Sequence, residues 1–493
     1  MEKSEELRNK IEEIEDYFVG VDPIYFAYYL LSMLLAKAIE DSAKQVQKEL
    51  YAKYEDPIRA ERAMQRQRFR VYQESAFSSL YPFLYQEILL VKIKEMLQQL
   101  EESNIELLNG IFSNMDFSNS VLGQQTKKIE RLSKMIEILA STELNMEEKE
   151  NLQAIQETVL FVIAKNVYDI NNDGRKLYTP IIISQLISRI IEPRENQRIC
   201  DPVCGSGTLL SMVANQLKAK HVSIYGNDSE PIVCSIARLN LIFQGYDDSN
   251  ITNQDFLEAE IQPQFDIVVG NPPYSVSNWM DSIGKKKEKQ NSYPLSEKTL
   301  TELFPYGVPP ASKGDYAFVQ RMLSSVTEDG QMIVLLPHGA LFRGGAEKEI
   351  RAKMIKENIM EAVIGLPSHL FNGTSTPICL VIFKKKRQRN GILFIDASKD
   401  YKELNYQKVL TEEGQQKIVQ TYQNWKEQEG YSYIATREEI VQKEYNLDIP
   451  KYVIPKEQKQ ARDRIKILNE IEQLTDKLSQ IELVIKQDIE KLG

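Results

Sequence analysis

The stretch "ICDPVCGSGTLL", residues 199 to 210, reads as a short strand, an acid, and a tight turn that opens a helix. Gly205 and Gly207 let a ligand approach the backbone in that turn, and the helix N-terminus beyond it offers free amide groups. The spacing is not the GxGxxG dinucleotide fingerprint, and a glycine turn alone is a weak signal. Two later segments reinforce it. "IYGNDSEP" (224 to 231) ends a second strand with Asp228, placed to accept hydrogen bonds from the two hydroxyls of a ribose. "NQDFL" (253 to 257) brings a third strand-end acid, Asp255, toward the adenine ring of the same ligand. Each acid alone reads equally well as a helix cap or turn residue. In order and at strand ends, they point to an adenosine-containing cofactor held around Asp201, Gly205, Ser206, Gly207, Thr208, Asp228 and Asp255.

Outward from that turn, "FDIVVGNPPYS" (265 to 275) reads as a buried strand with a rigid loop at its carboxyl end, over the same crevice. Pro272 and Pro273 fix φ and remove two backbone donors, so the loop presents carbonyl oxygens unshielded by neighbouring amide hydrogens. Asn271 adds a side-chain carbonyl. An exocyclic amine offers two N–H bonds, and the Asn271 side chain with the Pro272 oxygen form a rigid pair of acceptors for them. Tyr274 supplies a flat face for an extruded base, worth about 1–3 kcal/mol against the few kcal/mol that unstacking costs. The bland alternative is a plain Asn-Pro turn after a strand.

Around these motifs, from about residue 160 to 396, short β-rich runs alternate with helical stretches. That pattern argues for an α/β sheet with helices on its faces and ligands outside the strands' carboxyl ends. Before it, residues 1–152 are helical in pattern, strongly charged and poor in glycine, a separate helical domain. After it, residues 401–493 are polar, with "YNLDIPKYV" (445 to 453) of extended character and a final helix. In that helix Ile467, Ile471, Leu474, Leu478, Ile481 and Ile485 form a heptad seam that Leu492 resumes, which calls for a partner helix. The central domain is therefore expected over 153–400.

The bulk composition excludes several classes. A chain of 493 residues, 42% hydrophobic and 27% charged, has room for two or three globular domains. The longest apolar run, from Tyr25, falls short of the ~20 residues a membrane span needs and ends in lysine, so it reads as a buried helix. The polar, charged beginning carries no cleavable signal, and a cytoplasmic location with no membrane partner is expected. Four scattered cysteines read as reduced thiols, and no zinc module or other metal site is expected. A net charge of -10 argues against nonspecific coating of nucleic acid. Arg59, Arg62, Arg66, Arg68 and Arg70 form a basic cluster that reads first as a solvated helix face and second as a phosphate contact.

"NPPY" with "DPVCGSG" resembles the S-adenosylmethionine-dependent amino-methyltransferases, and the flanking segments resemble the modification subunit of type I restriction-modification systems. "GRKLYTP" (174 to 180) is similar to the family's motif that touches the cofactor's methionine part, which assigns Tyr178, Thr179 and Pro180 to cofactor binding. "DYAFVQRML", "GQMIVLLPHGALFRGGAE", "EAVIGLPSHLF", "LFIDAS" and "YNLDIPKYV" follow in the family's order. The resemblance implies a Rossmann-like methyltransferase sheet with a helical N-terminal domain and C-terminal helices. It implies methyl transfer to the exocyclic amine of adenine in duplex DNA, with Asn271, Pro272, Pro273 and Tyr274 as the catalytic loop. It implies a specificity subunit and a second copy of the modification subunit as partners, and it leaves a restriction subunit open. The chain departs from the family at Tyr274, where many relatives carry phenylalanine, and at "FNGTSTP" (371 to 377). "NSYPLSEKTLTELFPYGVPPASKGD" (291 to 315) reads as a long surface loop. Two other readings stand beside this one: a methyltransferase of the same fold acting on an amide or amine in protein or RNA, and a scaffold that has lost catalysis.

Overall fold

The computed structural model describes residues 2–54, 56–167, 179–191, 194, 196–216, 221–259, 264–281, 297–371, 376–404, 407–454 and 471–482. Its centre is a nine-stranded sheet. In chain order the strands are β1 (Arg198–Asp201), β2 (Ser223–Asp228), β3 (Asn250–Asn253), β4 (Phe265–Gly270), β5 (Val326–Pro337), β6 (Met360–Gly365), β7 (Ile378–Lys384) and β8 (Ile392–Asp396). A separate hairpin of β9 (Tyr401–Leu404) and β10 (Gln407–Leu410) follows, then β11 (Ser432–Ala435). Across the sheet the order is β11-β8-β6-β7-β5-β4-β1-β2-β3. The five strands β3-β2-β1-β4-β5 run parallel, and β7 enters antiparallel between β5 and β6. This is the expected α/β methyltransferase sheet.

The central strands carry apolar runs, 267–269 in β4, 332–336 in β5 and 378–383 in β7, because both faces are covered there. With a side-chain period of two, Val268 and Val334 point into one core while Ile267, Val269, Ile333 and Leu335 point into the other. Because β1, β2, β4 and β5 are parallel, their carboxyl ends lie along one edge. There Asp201, Asp228, Asn271 and Pro337 all emerge.

The N-terminal helices build a third core around Pro23–Lys53. Asp22 caps that helix, accepting from the Ile24 amide at 2.9 Å, with Pro23 in the first turn. Every residue from Phe26 to Glu40 is buried, as expected of the long apolar run. Among the described residues no helix is long and apolar enough to cross a membrane. The same core takes in Ile236, Leu239, Ile242 and Phe243 from the Pro231–Phe243 helix of the sheet domain. Polar clips reinforce the joint: Arg238 Nη1 donates to the Asn109 carbonyl at 2.5 Å, and Gln156 Nε2 to the Phe243 carbonyl at 3.0 Å.

Several sequence expectations change here. The boundary drawn after residue 152 falls inside the Lys149–Asn166 helix, whose Ile155, Val159, Val162 and Ile163 pack in the N-terminal core. The boundary drawn after 400 separates β11 from the sheet it completes, and Ile418 and Tyr422 from the core they fill. The arginine cluster is not one helix face. Only Arg59 and Arg62 lie on the Pro57–Met64 helix, while Arg68 is spent on Asp247 (Nε to Oδ2, 2.7 Å) and the Ile242 carbonyl. "YNLDIPKYV" is a turn with a 3₁₀ segment, Ile449–Lys451, rather than extended chain. Leu447 donates to the Leu341 carbonyl at 2.9 Å, and Tyr452 stacks on Phe394 at 4.0 Å. The described part of the supposed surface loop contains a helix, Glu297–Leu303, and the buried Phe304, which meets Trp279 edge-on at 5.2 Å. All four cysteines are free and buried, as expected. The described seam residues Ile471, Leu474, Leu478 and Ile481 lie on a helix spanning 471–482 and are each more than half exposed. Ile467, Ile485 and Leu492 lie outside the described residues.

Phe243 is fully buried where the two domains meet. Phe243→Ala should cost about 3–5 kcal/mol. Chemical denaturation should show a lower midpoint for the helical domain and the sheet domain together; a midpoint shift confined to one of them would contradict a shared core.

Candidate active site

The turn that leaves β1 places both Gly205 and Gly207 at positive φ, a conformation that favours glycine. Gly207 sits at φ 74°, and a Cβ there would come within 3.3 Å of Ala237 on the neighbouring helix. The turn is tied at three points. The Cys204 amide donates to the Asn227 carbonyl at 2.8 Å, and the Gly205 amide to Asp228 Oδ2 at 3.1 Å. Asn240, fully buried, donates to the Ser206 carbonyl at 3.0 Å. The Ser206 and Thr208 hydroxyls are buried and paired with each other at 3.0 Å. Those two hydroxyls are thus engaged inside the turn.

Asp201 and Asp228 both lie buried at this edge. Asp201 Oδ1 accepts from the Val203 amide at 3.0 Å. Burial, followed by the charge of Asp228, pushes the Asp201 carboxyl up to about 8 against its single backbone hydrogen bond. Burial likewise raises Asp228, opposed by the Glu230 and Gly205 amides. Asp228 accepts one N–H at each oxygen, from Gly205 and from Glu230 (3.0 Å), and a carboxylate has about four lone-pair sites. The Ser229 amide is a further donor to the same carboxylate, which leaves room for one hydroxyl group. Asp255 accepts from the Leu257 amide at 2.9 Å, closing the turn after β3, and the Gln254 amide donates to the Asp228 carbonyl at 3.1 Å. Thr179 and Pro180 lead into the Ile181–Ile191 helix. Tyr178 lies outside the described residues.

β4 brings Asn271 to the same edge: a Cβ built on Gly270 would lie 3.4 Å from Asp201 Oδ1. Asn271 and Pro272 are buried, while Pro273, Tyr274 and Ser275 are half-buried. The Tyr274 hydroxyl donates to Asn271 Oδ1 at 2.5 Å. An amide oxygen has two lone pairs, so one stays available to an incoming donor.

Sequence reasoning missed what lies behind the loop. Ser275 has φ 54°, a left-handed conformation that residues other than glycine adopt at a cost. Its amide donates to Asp315 Oδ1 at 2.8 Å, and the other Asp315 oxygen accepts from Arg343 Nη2. Arg343 also holds Glu347, Nε to Oε2 at 2.6 Å, and the buried Arg351 donates to the Arg343 carbonyl at 2.7 Å. Asp315 sits in "DYAFVQRML" and Arg343 and Glu347 in "FRGGAE", segments to which the sequence reading assigned no role.

Residues 147–461 match the family described as N-6 DNA Methylase, and residues 7–139 the HsdM N-terminal domain. The type I restriction enzyme MjaVII methylase subunit of Methanocaldococcus jannaschii is 31% identical over 62% of this chain and 54% of its own length. The chain thus spans about half of that relative. The MpnII methylase subunit of Mycoplasma pneumoniae is 30% identical over 78% of this chain and 73% of its own length. The crystal structure of a type I restriction-modification methyltransferase subunit from Streptococcus thermophilus superposes with a TM-score of 0.77. It is 26% identical, over 91% of this chain and 99% of that one.

The raised carboxyl of Asp201 sets a pH test. Unfolded, an aspartate ionises near 4; folded, Asp201 ionises at about 8. Between these values the folded state holds a proton that the unfolded state has lost, so this group's support is full below about 4 and gone by about 8. Asp201→Asn should therefore raise the melting temperature more at pH 8 than at pH 5. Equal shifts at the two pH values would contradict a buried, unpaired Asp201.

Proposed function

This chain belongs to the N-6 DNA methylase family, and from that premise we propose its reaction: transfer of a methyl group from S-adenosylmethionine to the exocyclic amine of adenine in a specific double-stranded DNA sequence. It acts as the modification subunit of a type I restriction-modification complex. The observation that carries this reading is the meeting of NPPY, the glycine turn and Asp228 at one sheet edge.

The residues fit the cofactor. Asp201 and Asp228 are buried with no basic partner among the described ion pairs, an acidic edge that suits a ligand bearing a sulfonium and an ammonium. In this reading Asp228 accepts from the ribose, Asp255 faces the adenine, and Thr179 and Pro180 hold the methionine part. When bound, S-adenosylmethionine supplies the electrophilic methyl.

The chain's own work is orientation. Asn271 Oδ1 and the Pro272 carbonyl accept the two N–H bonds of the amine and aim its lone pair. Pro273 stiffens the loop, and the ring of Tyr274 receives the base taken out of the stack. The amine needs no strong base, since its proton leaves after the methyl arrives. Acceptors of this kind suit any planar N–H donor, but the family match through residue 461 includes segments beyond those that an NPPY loop alone would need.

The partners are double-stranded DNA, a specificity subunit and a second copy of this chain, and a substrate in the chromosome implies a cytoplasmic enzyme. The exposed seam of Ile471, Leu474, Leu478 and Ile481 is the surface offered to the specificity subunit.

Two experiments test the proposal. Asn271→Ala should bind S-adenosylmethionine nearly as wild type does, while methyladenine at a bipartite motif disappears from single-molecule sequencing of the host genome. Unchanged genomic methylation would sink the catalytic assignment. Leu474→Asp combined with Leu478→Asp should abolish co-purification with the specificity subunit and leave cofactor binding intact; normal co-purification would place the subunit contact elsewhere.

A further inference from the structure

We infer that Asp315 is a positioning residue for methyl transfer, holding the loop after Tyr274 in its left-handed turn through the Ser275 amide. This rests on the reading of NPPY as the catalytic loop. Ser275 at φ 54° is unfavourable for a residue with a side chain, so something outside the residue must hold it there. The Ser275 amide meets one buried carboxylate oxygen at 2.8 Å, and Asp315 is 1% exposed. That bond sets the direction in which the chain leaves Tyr274, and with it the ring's placement beside Asn271.

A buried carboxylate is a dependable acceptor only if it is itself fixed. Asp315 opens the Asp315–Ser324 helix, in the region where the positive end of the helix dipole favours an anion. Its second oxygen is taken by Arg343, which is held in turn by Glu347 at 2.6 Å. The Arg343 carbonyl is pinned by Arg351, whose Nη1 also reaches the Ala340 carbonyl at 3.1 Å. The strand-end segment after β5 is thereby braced against the loop after β4. Farther along, the Gly314 amide donates to the Val276 carbonyl at 2.9 Å and the Asn278 amide to the Ala311 carbonyl at 2.8 Å. The catalytic loop is fastened on its far side, and at Ser275 the backbone is held by Asp315 while Arg343 Nη1 reaches the side-chain hydroxyl at 3.4 Å.

The test uses the complex with its specificity subunit and a duplex carrying the target motif. Single-turnover methyl transfer, S-adenosylmethionine affinity and melting temperature are measured for wild type, Asp315→Ala and Asp315→Asn. Loss of the bond should slow transfer in Asp315→Ala by about 100-fold, the scale of a misplacement near 1 Å. Cofactor affinity should stay within about twofold, because among the described residues the hydrogen-bond partners of Asp315 are Ser275 and Arg343, neither of them assigned to the cofactor. Asp315→Asn keeps an acceptor for the Ser275 amide and should recover at least about tenfold of the loss. Unchanged transfer in Asp315→Ala overturns the inference. So does a parallel loss of cofactor affinity and melting temperature, which would make the role structural, or a failure of asparagine to restore transfer. If wild type methylates some acceptor other than adenine, the functional reading fails, yet the same three-protein comparison on that acceptor still decides the role of Asp315.

Discussion

Two buried carboxylates with no basic partner among the described residues set the terms for this molecule. Asp201 and Asp228 end adjacent parallel strands; burial raises the cost of ionising both, and the charge of Asp228 adds to that cost at Asp201. A fold tolerates such a pair only if the surrounding backbone supplies donors in fixed positions. That is the work of the amides of Val203, Gly205 and Glu230. The left-handed glycine, the buried Asn240 and the close packing of Ala237 can all be understood as what keeps those amides in place. The free-energy deficit at this edge is smallest when a cation lies against it. Binding of a positively charged cofactor and stability of the turn are thus two aspects of one electrostatic problem.

The loop opposite solves a mechanical problem. A planar amine has to be held by two acceptors with little freedom, yet the base carrying it has to get in. Prolines remove freedom along the chain, but they do nothing to fix where the loop sits in space. That task falls to contacts from a segment more than forty residues later in the chain, where a carboxylate, two guanidiniums and a second carboxylate balance one another in charge. The site is thus rigid by reference to its surroundings as well as by its own composition.

How much of this was legible in the chain depended on range. The strand runs were readable because burial on both faces leaves short, mostly apolar stretches, and "FDIVVG" became β4 with the bounds that pattern suggests. The glycine turn and Asp228 were readable because local spacing encodes them. Asp315 was not, since its partner Ser275 is forty positions away and a lone acid at a helix start reads as a cap. Arg68 was misleading for the same reason: its neighbours in sequence are arginines, and its partner in space is Asp247. The extended look of "YNLDIPKYV" failed because Tyr452 and Ile449 are apolar for tertiary contacts with Phe394 and the sheet rather than for strand pairing. Both domain boundaries were placed where composition shifts, whereas packing continues across them.

That last point bears on how such proteins can be shuffled. The Pro231–Phe243 helix belongs by chain order to the cofactor-binding sheet, and by packing it belongs equally to the helical domain. A crossover between relatives placed in the stretch before residue 179 would look clean on a sequence alignment. It would nevertheless join an incoming set of N-terminal helices to a resident helix shaped for different neighbours. The inheritable module is therefore discontinuous: residues up to 167 together with one helix some sixty positions further on, which has to travel with them or be compatible already.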